Sequence, residues 1–107
     1  MQQFSARAPD DLITLGMDMA ELVPDGATLT GCAVSASVWA PSREPDPEPS
    51  AILQGVAGVA DGTFIRQQVQ GGVVGCVYVL SFTAQFSDGT SVTEDALQRV
   101  AAFVPEA

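Results

Sequence analysis

Five residues at alternate positions, Tyr78, Leu80, Phe82, Ala84 and Phe86, follow one another in the 107-residue chain until Ser87-Asp88-Gly89 interrupts them. Side chains alternate between the two faces of a strand, so these five form one apolar face that a second layer must cover. A Gly71-Gly72 turn feeds the segment, which reads QGGVVGCVYVLSFTAQFSDGT from Gln70 to Thr90. Such a strand predicts a sandwich. It constrains the fold class strongly and an activity hardly at all, because one architecture hosts many functions.

At this length the chain is read as a single domain, in which only about two-thirds of the unfolded surface can be buried. Hydrophobic residues make up 47% and charged residues 16%, too apolar for a disordered chain and too interrupted for a membrane span. Thirteen acidic residues face four arginines, with no lysine or histidine, for a formal charge of −9. That balance argues against nucleic acid or anionic lipid as a partner, since both are held by Lys and Arg contacts. The segment MQQFSARAPDD lacks the pattern of a secretory signal, which predicts a reducing, cytosol-like compartment.

The rest of the chain reads as further strands. Residues 1–9 show no periodicity and are expected to form an N-terminal arm that orders on a partner. Ile13, Leu15, Met17 and Met19 alternate with Thr14, Gly16 and Asp18, predicting a first strand followed by a short helical turn. From Ala27 to Trp39, Cys32, Val34, Ala36 and Val38 alternate with Ala33, Ser35 and Ser37, a second strand with a polar outer side. The four prolines of PSREPDPEPS, residues 41–50, exclude a sheet interior and predict an exposed loop. Short strands are expected at Ala51–Gln54, Val56–Ala60 and Thr63–Val69, the last two joined at Asp61-Gly62, a hairpin signal. A final strand lies between Ser91 and Val100. The expected fold is all-β: an immunoglobulin-like antiparallel β-sandwich of about seven strands over residues 10–100, with a C-terminal tail over 101–107.

The residues offer little chemistry. Without histidine or lysine, no Ser, Thr or Cys has an evident activating base. The acidic pairs Asp10-Asp11 and Glu94-Asp95 would point to opposite faces of a strand and read as solubility charges. A calcium site from Asp46, Glu48 and the Asp-Gly turns lacks EF-hand spacing, and two cysteines cannot supply four zinc ligands. Gly71, Gly72 and Gly75 lack the lysine and helix of a phosphate loop. No enzyme activity, cofactor or metal is therefore expected. Cys32 and Cys76, placed on facing strands, could form an inter-sheet bridge. The reducing compartment and the missing companion tryptophan favour two free thiols.

An ordered set of residues carries a family resemblance. It comprises Ala8-Pro9-Asp10-Asp11, Gly16-Met17-Asp18, Asp25-Gly26-Ala27-Thr28-Leu29, Asp61-Gly62-Thr63, Val69-Gln70-Gly71-Gly72, Gly75, Tyr78 and Ser87-Asp88-Gly89. In this order, over roughly residues 8–100, the chain resembles the small Ig-like virion proteins of tailed bacteriophages, of the fiber-tail adaptor type. It departs from their pattern at Met19 and Val34, where aromatic residues are frequent, and in a longer proline loop. The resemblance implies a non-enzymatic virion structural protein, assembled in the bacterial host cytoplasm. It would be present in several copies, as a homo-oligomeric ring at the tail or head-tail connector, bridging portal, adaptor, tail or fiber components. A capsid decoration protein and an Ig-like ligand-binding or adhesion module are the alternatives. The segments whose composition the sandwich does not explain supply the expected partner-binding residues: Phe4 and Arg7 in the arm, Trp39 and Arg43 around the proline loop, and Phe103 in the tail.

Overall fold

Alternation in the sequence becomes layering in the structure, a computed structural model that describes residues 2–39, 45–60 and 62–101. The strands are β1 (Gln2–Gln3), β2 (Ile13–Asp18), β3 (Leu29–Val38), β4 (Leu53–Ala60), β5 (Phe64–Val69), β6 (Val77–Phe86) and β7 (Ser91–Arg99). A short 3-10 turn, Ala20–Leu22, follows β2, and a second, Pro49–Ile52, leads into β4. One sheet has the order β1-β7-β6-β3 and the other β2-β5-β4. All pairings are antiparallel except that of β1 with β7. The fold is an all-β, immunoglobulin-like sandwich.

β6 sits between β7 and β3, so its inward side chains are covered on every side. Tyr78, Leu80, Phe82 and Ala84 have no exposed surface. Opposite them, Leu15, Met17 and Met19 from the β2 segment, Ile52, and Ile65 and Val69 from β5 complete the core. Val34 and Val38 point the same way yet remain half-buried, because β3 is an edge strand with β6 on one side only.

The two short strands expected at 51–54 and 56–60 are one strand with a bulge. Pairing of β4 with β5 slips between Gln54 and Gly58, where Gly55 has φ +72°. Only glycine enters that region without a steric cost. Carbonyls released by the bulge are recaptured by the buried Gln67, whose amide donates to the oxygens of Gln54 (3.1 Å) and Gly55 (3.4 Å).

The N-terminal segment differs from the expected free arm. Gln2 and Gln3 pair in parallel with Ala96 and Leu97, the Phe4 amide donates to the Leu97 carbonyl (2.8 Å), and Arg7 bridges to Val100. Phe4 packs on the core, its ring 5.9 Å from that of Phe82 and tilted by 57°. A strand this short leaves no periodicity to read, and what holds it lies some ninety residues away.

Cys32 lies on β3 and Cys76 immediately before β6, its neighbour in the same sheet, rather than on facing layers. Cys32 is opposite Ala84, eight residues along β6 from Cys76, or roughly 26 Å at strand rise. No disulfide spans such a gap. Thiol titration of denatured, unreduced protein is expected to find two reactive groups; finding none would contradict this geometry.

Candidate docking site at one end of the sandwich

β2 and β4 begin where β5 ends, since Ile13 and Leu53 both pair with Val69, and β6 begins beside the ends of β3 and β7. One end of the sandwich therefore gathers the N-terminal segment, Trp39, the described part of the proline loop, the glycine turn before β6 and the start of the C-terminal tail. Two hydrogen-bonded networks tie these segments together.

Arg7 centres the first. Its side chain is 2% exposed. Nε donates to Gln98 Oε1 (3.0 Å) and Nη1 to the Gly71 carbonyl (2.8 Å). Gln98 in turn donates to the Ser5 carbonyl (3.1 Å). The Arg7 carbonyl accepts from the Ala101 amide (3.0 Å), and the Gly71 amide donates to the Pro9 carbonyl (2.6 Å). Burial pulls the guanidinium below the ordinary arginine value, an effect opposed by nearby Tyr78 and Asp11. Buried in this way, the Arg7 side chain is not open to docking on a partner, although its Nη2 finds no hydrogen-bond acceptor among the described residues.

Tyr78 centres the second network. Its hydroxyl donates to Asp46 Oδ2 (2.6 Å) and accepts from the Val73 amide (2.8 Å), pinning the proline loop and the glycine turn to β6. Gly72 passes directly above, with φ +103°; a Cβ there would lie 3.0 Å from the Tyr78 oxygen and 3.2 Å from Val100. Burial and the hydrogen bond to Asp46 push the phenol well above its ordinary value of 10.0, against the smaller opposite effect of the Val73 N–H. A phenol raised on folding adds stability that is fully present below pH 10 and is lost as pH rises through the folded-state value. Tyr78 is the chain's one tyrosine, so tyrosinate absorbance is expected to appear only as the protein unfolds above pH 10. Ionisation with the fold intact would show that the network does not hold the proton.

Beside these networks lies a cleft of 310 Å³ lined by Gln3, Phe4, Ala6, Trp39, Val77, Leu97 and Arg99. Trp39 retains 37% of its surface. Aromatic and arginine side chains around an apolar floor are the residue types that dominate protein interfaces. Of the expected partner-binding residues, the structure brings Phe4 and Trp39 together here, Phe4 half-buried and Trp39 open, and places Arg7 in the interior. Arg43 and Phe103 fall outside the described residues. Val77, Leu97 and Arg99 join the cleft without having been anticipated. Leu97 and Arg99 lie on the outer face of β7, where alternation alone predicts solvent.

Among the described residues, no three or more Cys, Asp or Glu side chains are grouped to hold a metal ion, and no helix is long and apolar enough to cross a membrane. The site is a half-open cleft with aromatic and arginine side chains at one end of an all-β sandwich. Neither a protein-family model nor a curated protein matches the chain.

Proposed function

We propose that this chain is a non-enzymatic structural protein of a tailed-bacteriophage virion, a multi-copy component of the tail or head-tail connector of the fiber-tail adaptor type. The observation that carries the reading is the cleft of Phe4, Trp39 and Arg99, at the end of the sandwich where the N-terminal segment, the glycine turn and the approach to the C-terminal tail converge. Its residues suit docking on another protein. The ordered glycine, tyrosine and Asp-Gly set that resembles the phage family lies largely at the two ends of the sandwich. The charge of −9 disfavours a grip on DNA and suits a more basic portal or adaptor surface.

The test is incorporation of the Trp39→Ala, Arg99→Ala double variant into particles of the phage that encodes the chain. Hot-spot truncations cost about 2 kcal/mol or more, so occupancy should fall at least about tenfold while circular dichroism is unchanged. Normal occupancy would remove the cleft from the docking surface, and absence of the wild-type chain from particles would overturn the virion reading. Exposed Trp39 also favours the adhesion alternative, which glycan-array binding abolished by Trp39→Ala would select.

A further inference from the structure

The sandwich has four lateral edges, and three are blunted. β1 is two residues long, leaving the part of β7 beyond it with Glu94 and Asp95. β4 is bulged, and the six-residue β2 ends in Asp18. These are the devices by which sheet proteins discourage pairing with other chains. The fourth edge, β3, has one irregularity at its start, between Leu29 and Gly31, and is regular and unblunted from Gly31 to Val38. It is ten residues long, and no charged residue occurs from Ala27 to Trp39 in a chain that carries −9.

The hydrogen-bond phase of β3 follows from its register. The Trp39 amide donates to the Val77 carbonyl (2.9 Å), and pairing with β6 continues without a slip from Val38 back to Gly31. Ser37, Ser35 and Ala33 therefore turn their backbone groups toward β6. Val38, Ala36, Val34 and Cys32 turn theirs to the open edge, by the alternation of antiparallel ladders. Among the described residues, no strand pairs with that edge.

We propose that this edge binds a second copy of the chain, β3 against β3 in antiparallel register, with the two-fold axis at Ser35. In that register Cys32 faces Val38 of the other copy and Val34 faces Ala36. All four outward residues then exchange hydrogen bonds, about eight in total for the two copies. On the solvent face Ser35 meets Ser35 and Ala33 meets Ser37, side chains small enough to let the backbones approach. The two four-stranded sheets become one of eight strands. The lack of charge on this edge fits a second copy as the occupant, because a chain of net charge −9 can meet its own image along β3 without setting like charges opposite each other. Val56 adds apolar surface on the same flank: it sits 98% exposed on the bulge of β4, the strand that packs next to β3 in the other layer.

The inference is independent of the virion reading, since it concerns the purified chain alone. Sedimentation equilibrium of the full chain at micromolar concentrations should show a dimer. Ser35→Lys and Ser35→Glu, at an exposed position, should each keep the β-sheet circular dichroism and lose the dimer, because like charges would stand directly opposite across the axis. An equimolar mixture of the two variants should recover it as a heterodimer. A monomeric wild type, a dimer that survives Ser35→Lys, or a mixture that stays monomeric would each overturn the proposal.

Discussion

Arg7→Ala is expected to lower the unfolding free energy by about 2 to 4 kcal/mol, measured as a shift of the urea midpoint at unchanged slope. The variant loses three hydrogen bonds from a charged donor, to Gln98, to the Gly71 carbonyl and, at 3.4 Å, to the Ala8 carbonyl, and leaves the first two acceptors short of a partner in the interior. Lysine is a poor substitute, because a single ammonium cannot reproduce the planar fork that reaches both acceptors. Arg7→Lys should therefore recover less than half of the loss. A free-energy change of only a few tenths of a kcal/mol for Arg7→Ala would mean that the N-terminal segment rests on the sheet without being fastened to it. By the same reasoning, removal of residues 1–8 should destabilise the sandwich itself, because it strips Phe4 and Arg7 from β7 and the core.

Phe82→Ala should cost about 3 to 5 kcal/mol, the range for emptying a buried aromatic site. Phe82 has no exposed surface, lies in the central strand, and touches both the opposite layer and Phe4. A double-mutant cycle with Phe4→Ala isolates the ring pair. Its coupling should fall near 0.5 to 1.5 kcal/mol, as for tilted aromatic pairs generally. Additive single effects would show that Phe4 is held by its backbone bonds alone.

The elements legible in the sequence are those whose side chains answer to a period. β6, and β3 from Cys32 onward, alternate residue by residue in the sequence and in their burial, and β2 with its following turn stands where the Ile13 to Met19 pattern predicts it. The bulge in β4 split one strand into two apparent ones, because Gly55 reads locally as a break and only Gln67, on the neighbouring strand, repairs it. The N-terminal segment was illegible for a different reason. Its stability comes from Gln98, Leu97 and Gly71, partners that no window around Phe4 or Arg7 contains. Trp39 stood out as an aromatic beside a loop, whereas its neighbours in the cleft look like ordinary strand residues until β7 is placed beside β1.

The parallel pairing of β1 with β7 also decides how the molecule bears a load. Tension applied between the N-terminus and the C-terminal tail pulls β1 and β7 past each other along their length. The bonds from Phe4 to Leu97, from Arg7 to Arg99 and from Ala101 to Arg7 are then strained together rather than opened one after another. The Arg7 side chain, wedged between Gln98 and Gly71, acts as a bolt through that joint. A chain pulled by its ends should resist stretching until this patch shears as a unit, and then extend in one step.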